Sequence, residues 1–179
     1  MGFFKNMLRR ASGMPTDSEV SRSLNNLRDR VHTLQAMAIA MDAENDSSDD
    51  LSLFVFLRMD LLSFSLHIAQ SDNVLEQKEV DAINVFLGMD MSFAQCKMLI
   101  EDLGLGDKDF NASVPASFKI LTEVAKGSTA GARKFADALI ATYEQLGIVI
   151  ASIDGDFDAR ERRDLDDYIS MLKRYAARF

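Results

Sequence analysis

Apolar side chains recur along this chain at spacings of three and four, and nowhere convincingly at spacing two. Val20, Leu24, Leu27, Val31, Leu34, Met37 and Ala38 line one face of a first helix. Pro15 precedes its start, Thr16 and Glu19 have capping-box spacing, and it runs to about Met41. Asp50 to about Ser71 reads as a second helix, apolar nearly all round and so the most enclosed. Residues 76–87 form a third. Ser92 and Gln95 cap a fourth that stops at Gly104. Pro115 suits the first turn of a fifth, which ends at Gly127. Ser128 to about Ser152 is a sixth, carrying Phe135, Leu139, Ile140, Tyr143, Leu146 and Ile150. Residues 159–177 are a seventh, with Leu165, Tyr168, Ile169, Leu172 and Tyr175 turned inward. The pattern predicts an all-α fold, a single compact domain of about seven helices with short connections.

Two stretches of this pattern are copies. "FSLHIAQSDNVLEQKEVDAINVFL" (64–87) aligns with "LGIVIASIDGDFDARERRDLDDYI" (146–169) at a constant offset of 82 residues. Ile68 falls on Ile150, Ala69 on Ala151, Asp72 on Asp154, Leu75 on Phe157, Glu76 on Asp158 and Glu79 on Glu161. Each unit reads as an apolar helix end, an acid, a turn residue, a buried anchor, a second acid, a third acid three residues on, and an amphipathic helix. The domain is therefore expected to be built from two related helical halves.

Local chemistry explains these acids without a ligand. Asn73 and Gly155 tolerate the left-handed backbone of a sharp turn. Asp72 and Asp154 can accept from N–H groups of the turn. Glu76 and Asp158 stand where an N-cap belongs, with Glu79 and Glu161 completing capping boxes. The other reading is a cation site. Asp154, Asp156 and Asp158 copy the first three positions of a calcium loop. Ala159 replaces its glycine and Leu165 its bidentate glutamate, so an EF-hand is rejected. What remains is a looser site for Ca or Mg on Asp154, Asp156, Asp158 and Glu161. The first copy, Asp72, Glu76 and Glu79, is poorer by one acid because Val74 stands where Asp156 does.

Composition narrows the classes. Hydrophobic residues make up 47% and charged ones 27% of 179 residues, enough for one folded domain. The net charge of −8 disfavours a nucleic-acid partner, which needs a basic face. Cys96 is the only cysteine, so no intrachain disulfide forms and a cytoplasmic location is expected. Arg58 and Asp60 interrupt the most apolar segment, Leu51–Ala69, which reads as a core helix rather than a membrane span. Residues 1–15 are a separate basic amphipathic segment. Phe3, Phe4, Met7 and Leu8 are flanked by Lys5, Arg9 and Arg10, and residues 1–14 could make weak contact with an acidic membrane surface. His67, at an apolar position of the repeat, reads as a packed helix residue. Cys96 reads as a small buried one. Neither a nucleophile–base pattern nor a phosphate-binding loop is present, and no small-molecule substrate is evident.

The motif Ala-x-x-Asp-Gly-x-Phe-Asp-x-x-Glu at 151–161, with its degenerate partner at 69–79, resembles the TerB-like tellurite-resistance family. The resemblance runs over about residues 16–177, which places a TerB-like helical domain at 16–179. It implies a non-catalytic bacterial module linked to stress and metal-oxyanion resistance. It also implies acidic turns that bind divalent cations, and protein partners associated with the membrane, hence work in the cytoplasm or peripherally at the inner membrane. Two alternatives are a peripheral membrane adaptor held by its N-terminal segment and a metal-assisted hydrolase using the same carboxylates.

Overall fold

The computed structural model describes residues 17–44, 52–71, 74–105, 113–124, 129–153 and 159–177. Among them are seven helices and no strand: α1 (Asp17–Glu44), α2 (Leu53–Ala69), α3 (Gln77–Leu87), α4 (Phe93–Leu103), α5 (Ala116–Val124), α6 (Thr129–Ala151) and α7 (Ala159–Ala176). The all-α expectation therefore holds, helix by helix.

Two helices organise the rest. α2 packs on α1, α3, α4, α5 and α6, while α6 packs on α1, α2, α3, α5 and α7. Their mutual contact is the centre of the molecule. These are the two helices that the repeat makes equivalent, and the structure keeps the register. α2 ends at Ala69 and α6 at Ala151; α3 begins at Gln77 and α7 at Ala159. Both pairs of boundaries are 82 residues apart. The chain leaves each central helix through the same bond. Ser71 N donates to Ile68 O at 3.1 Å, and Ile153 N donates to Ile150 O at 3.0 Å. Matched positions share burial, with Ile68, Ala69, Ile83 and Phe86 as enclosed as Ile150, Ala151, Leu165 and Tyr168.

The second half of α2 explains its nearly continuous apolar pattern. Every residue from Phe64 to Ala69 is buried, including Ser65 and His67. Ser65 satisfies its hydroxyl by donating to Leu61 O at 2.6 Å. His67 Nδ1 donates to Leu105 O at 2.6 Å, tying the end of α4 to α2, so this histidine is a packed structural residue. Cys96 is fully enclosed, and burial pushes its thiol up, which keeps it protonated and unreactive. The first half of α2 departs from the expectation of an enclosed helix: Val55 and Met59 are exposed on its outer side. No helix among the described residues is long and apolar enough to cross a membrane.

Within the second half, α6 and α7 approach closely at Gly147. A Cβ added there would lie 2.5 Å from Leu165 Cδ1, so glycine lets α7 settle onto α6. Its counterpart in the first half is Ser65, a small residue that is also buried.

Candidate functional site: the acidic corners

The first corner, between α2 and α3, is a helix-capping device. Glu76 is extended (φ −102°, ψ 153°) and occupies the N-cap of α3. The capping box read from its spacing with Glu79 is present, and Glu76 N donates to Glu79 Oε2 at 2.7 Å. Glu79 is 6% exposed, a burial that a carboxylate tolerates because backbone N–H groups at a helix start supply hydrogen bonds and positive potential. Glu76 Oε2 also pairs with Lys78 Nζ at 3.1 Å, at the surface. Leu75, 6% exposed, plugs the turn into the core as its anchor position required. Asp72 lies outside the described residues.

Replacing Glu79 by alanine is expected to cost about 1 kcal/mol of stability, the usual weight of a helix cap. The Glu76 N–H then loses its acceptor. Thermal unfolding followed by circular dichroism measures it, and an unchanged midpoint would show that the cap contributes nothing.

The second corner, between α6 and α7, is described only at its two flanks. Asp154, Asp156, Asp158 and the anchor Phe157 lie outside the described residues, and so does the side chain of Glu161 on α7. The N-terminal segment 1–15, Thr16 and the side chain of Glu19 lie outside them as well. Among the described residues no three histidine, cysteine or acidic side chains are grouped so as to hold a metal ion.

Beside the first corner is an open groove of about 470 Å³. Leu75 and Phe93 form its floor, and Glu76, Gln77 and Lys78 its rim. Lys97 of α4 lies over the Phe93 ring, 5.1 Å from its centroid, and covers one face of it with a cation–π contact.

Three polar residues matter that the sequence pattern did not single out for these roles. Asp42, near the end of α1, accepts from Leu53 N at 2.8 Å, Phe54 N at 3.1 Å and Ser52 Oγ at 2.9 Å, so it caps α2 from another helix. It opens an acidic run of sequence, Asp42 to Asp50. Asp60, inside α2, accepts from Ser117 N at 2.6 Å and Ala116 N at 3.3 Å and so caps α5. Burial raises the Asp60 pKa, against the lowering effect of those bonds and of Lys119. Asn84 of α3 holds the α3–α4 turn by exchanging two bonds with the Met91 backbone, at 2.8 and 2.9 Å.

Comparison with protein-family models, with curated proteins and with solved structures finds no match.

Proposed function

We propose that the chain is a non-catalytic helical interaction module of the TerB-like kind, serving a stress response, with Ca or Mg as a modulating ligand of its second acidic corner. The observation that carries this reading is the duplicated helix pair, α2–α3 and α6–α7, whose boundaries and exit bonds keep one offset. It supports the motif on which the resemblance rests, because the helix boundaries and exit bonds on either side keep the offset of the sequence. The two corners divide the work. At the first, Glu76 and Glu79 are engaged in capping and ion pairing. The second adds Asp156 at the position of Val74, and with Asp154, Asp158 and Glu161 it has four acids for a hard cation. Protein partners, with work at or near the inner membrane, complete the proposal.

Thermal unfolding of the full chain with Ca or Mg added at millimolar levels tests the cation. The expected result is a rise in midpoint for the wild type. Asp154→Asn combined with Asp156→Asn abolishes that rise and leaves the fold intact. A wild type indifferent to both cations removes the metal from the proposal. The interaction reading stands or falls on binding.

A further inference from the structure

The region from 74 to 103 carries Val74, Val85, Met98 and Leu103, large apolar side chains that are 56%, 45%, 61% and 49% exposed. Helix α4 accounts for two of them. Only Cys96 and Ile100 of its eleven side chains are buried. It rests on α2 and α3, with Phe93 and Leu99 partly buried against the core, and turns Met98 and Leu103 outward. Met98 shares its outward face with Ala94, Glu101 and Asp102 at helical spacing. On α3, Lys78, Asp81 and Val85 follow one another at i, i+3 and i+7, and Lys78 stands at the rim of the groove over Leu75 and Phe93. Single apolar residues at a surface need no explanation. Three in one helix pair, with Val74 just before it and an apolar-floored groove beside it, do.

The charge around them is predominantly acidic. Asp81, Asp90, Glu101 and Asp102 are exposed and Glu76 is half-buried, against Lys78 and Lys97. Lys78 is already paired with Glu76 and Lys97 lies over Phe93, so both cations are engaged locally. Such a surface repels anionic lipid and nucleic acid and favours a cationic partner. Apolar positions set among acids are complementary to a helix with an apolar stripe and basic flanks.

We propose that the α3–α4 face docks a basic amphipathic helix from a partner protein, an inference that rests on the interaction reading above. The partner's apolar side chains enter the groove over Leu75 and Phe93 and cover Met98. Its lysines and arginines meet Asp81, Glu101 and Asp102. The unbranched Met98 thioether adapts to the incoming side chains, as methionine does at binding surfaces.

The test uses the full chain, labelled with ¹⁵N, and three peptides about 18 residues long in the helix-in-groove mode. They are an amphipathic leucine–lysine helix, a shuffled peptide of the same composition, and a leucine–glutamate helix. Amide shifts locate binding and calorimetry measures it. The expected result is shifts confined to α3, α4 and their flanks with the leucine–lysine helix alone. Met98→Asp, a surface change, weakens that binding at least about tenfold, or 1.4 kcal/mol, without altering the melting midpoint. Shifts on another face overturn this surface and leave the interaction reading standing. Equal binding of the shuffled peptide reduces the contact to unspecific charge and overturns the docking. Binding of none of the three overturns the docking and leaves the interaction reading to partners of other chemistry.

Discussion

Phe64→Ala is expected to lower the unfolding free energy by about 4 kcal/mol, the largest single-residue effect in this chain. Phe64 is fully buried on α2, at the contact of the two halves. Its ring stacks on Tyr168 of α7 at 4.7 Å and 27°, and meets Tyr143 of α6 edge-on at 4.9 Å and 83°. Tyr143 and Tyr168 meet each other edge-on at 5.6 Å and 70°. Removing the middle ring takes away its burial and both aromatic contacts, and three helices cannot all close onto the gap. For a chain of this size the midpoint falls by roughly 10 °C. Phe64→Leu, which keeps most of the volume, loses about 1.5 kcal/mol or less. Chemical denaturation measures both. Equal losses for the two variants would show that the aromatic cluster is not the central joint.

The second large effect is at Asp60. Asp60→Ala is expected to destabilise by about 2 kcal/mol, because the first N–H groups of α5 lose a charged acceptor. Asp60→Asn keeps an oxygen facing Ser117 N and Ala116 N and removes the buried charge. Its midpoint at neutral pH is expected to equal or exceed that of the wild type. The pH dependence follows from the direction of the shift. Burial raises the Asp60 pKa above its ordinary 3.8, so the folded chain holds this proton more tightly than the unfolded one. The stability this provides is fully present below the unfolded value and is lost as pH rises through the raised folded value. Asp60→Asn should flatten that part of the profile. A wild type whose stability instead rises across this window, with Asp60→Asn as damaging as Asp60→Ala, would show that the ionised carboxylate is the favoured form. Tyr143 and Tyr168 share this environment. Burial first pushes both phenols up; Tyr168 and then Asp60 add to it for Tyr143, and Asp60 for Tyr168, so neither ionises near neutral pH.

Asp60 and Asp42 also show where sequence reading stopped. Ser92 with Gln95, Glu76 with Glu79, and the stop at Gly104 (φ +61°) were legible because their partners lie within four residues. Asp60 looked like a charge inside an apolar run, evidence only against a membrane span. Its partners are 56 and 57 positions away, on a helix start that packing delivers to it. Asp42 carries no local motif, and its partners are 10 to 12 positions on. The exposed side of α2 was missed for the opposite reason. Its apolar pattern is continuous, and nothing local marks Val55 and Met59 as outward. The candidate site divides the same way. The capping chemistry of the first corner could be read in advance, whereas its groove could not, because Phe93 reaches it from another helix.

The sequence by itself determined the seven helices, their caps at Glu76 and Ser92, and the two corners in register, because each depends on hydrogen bonds and side-chain periodicity within a turn or two of chain. Only the tertiary structure decided that α2 and α6 form the central pair, which remote helix starts Asp42 and Asp60 satisfy, and which apolar side chains of α3 and α4 stay in water. Those outcomes depend on which helix surfaces meet, and a buried carboxylate is stable only where packing brings it donors.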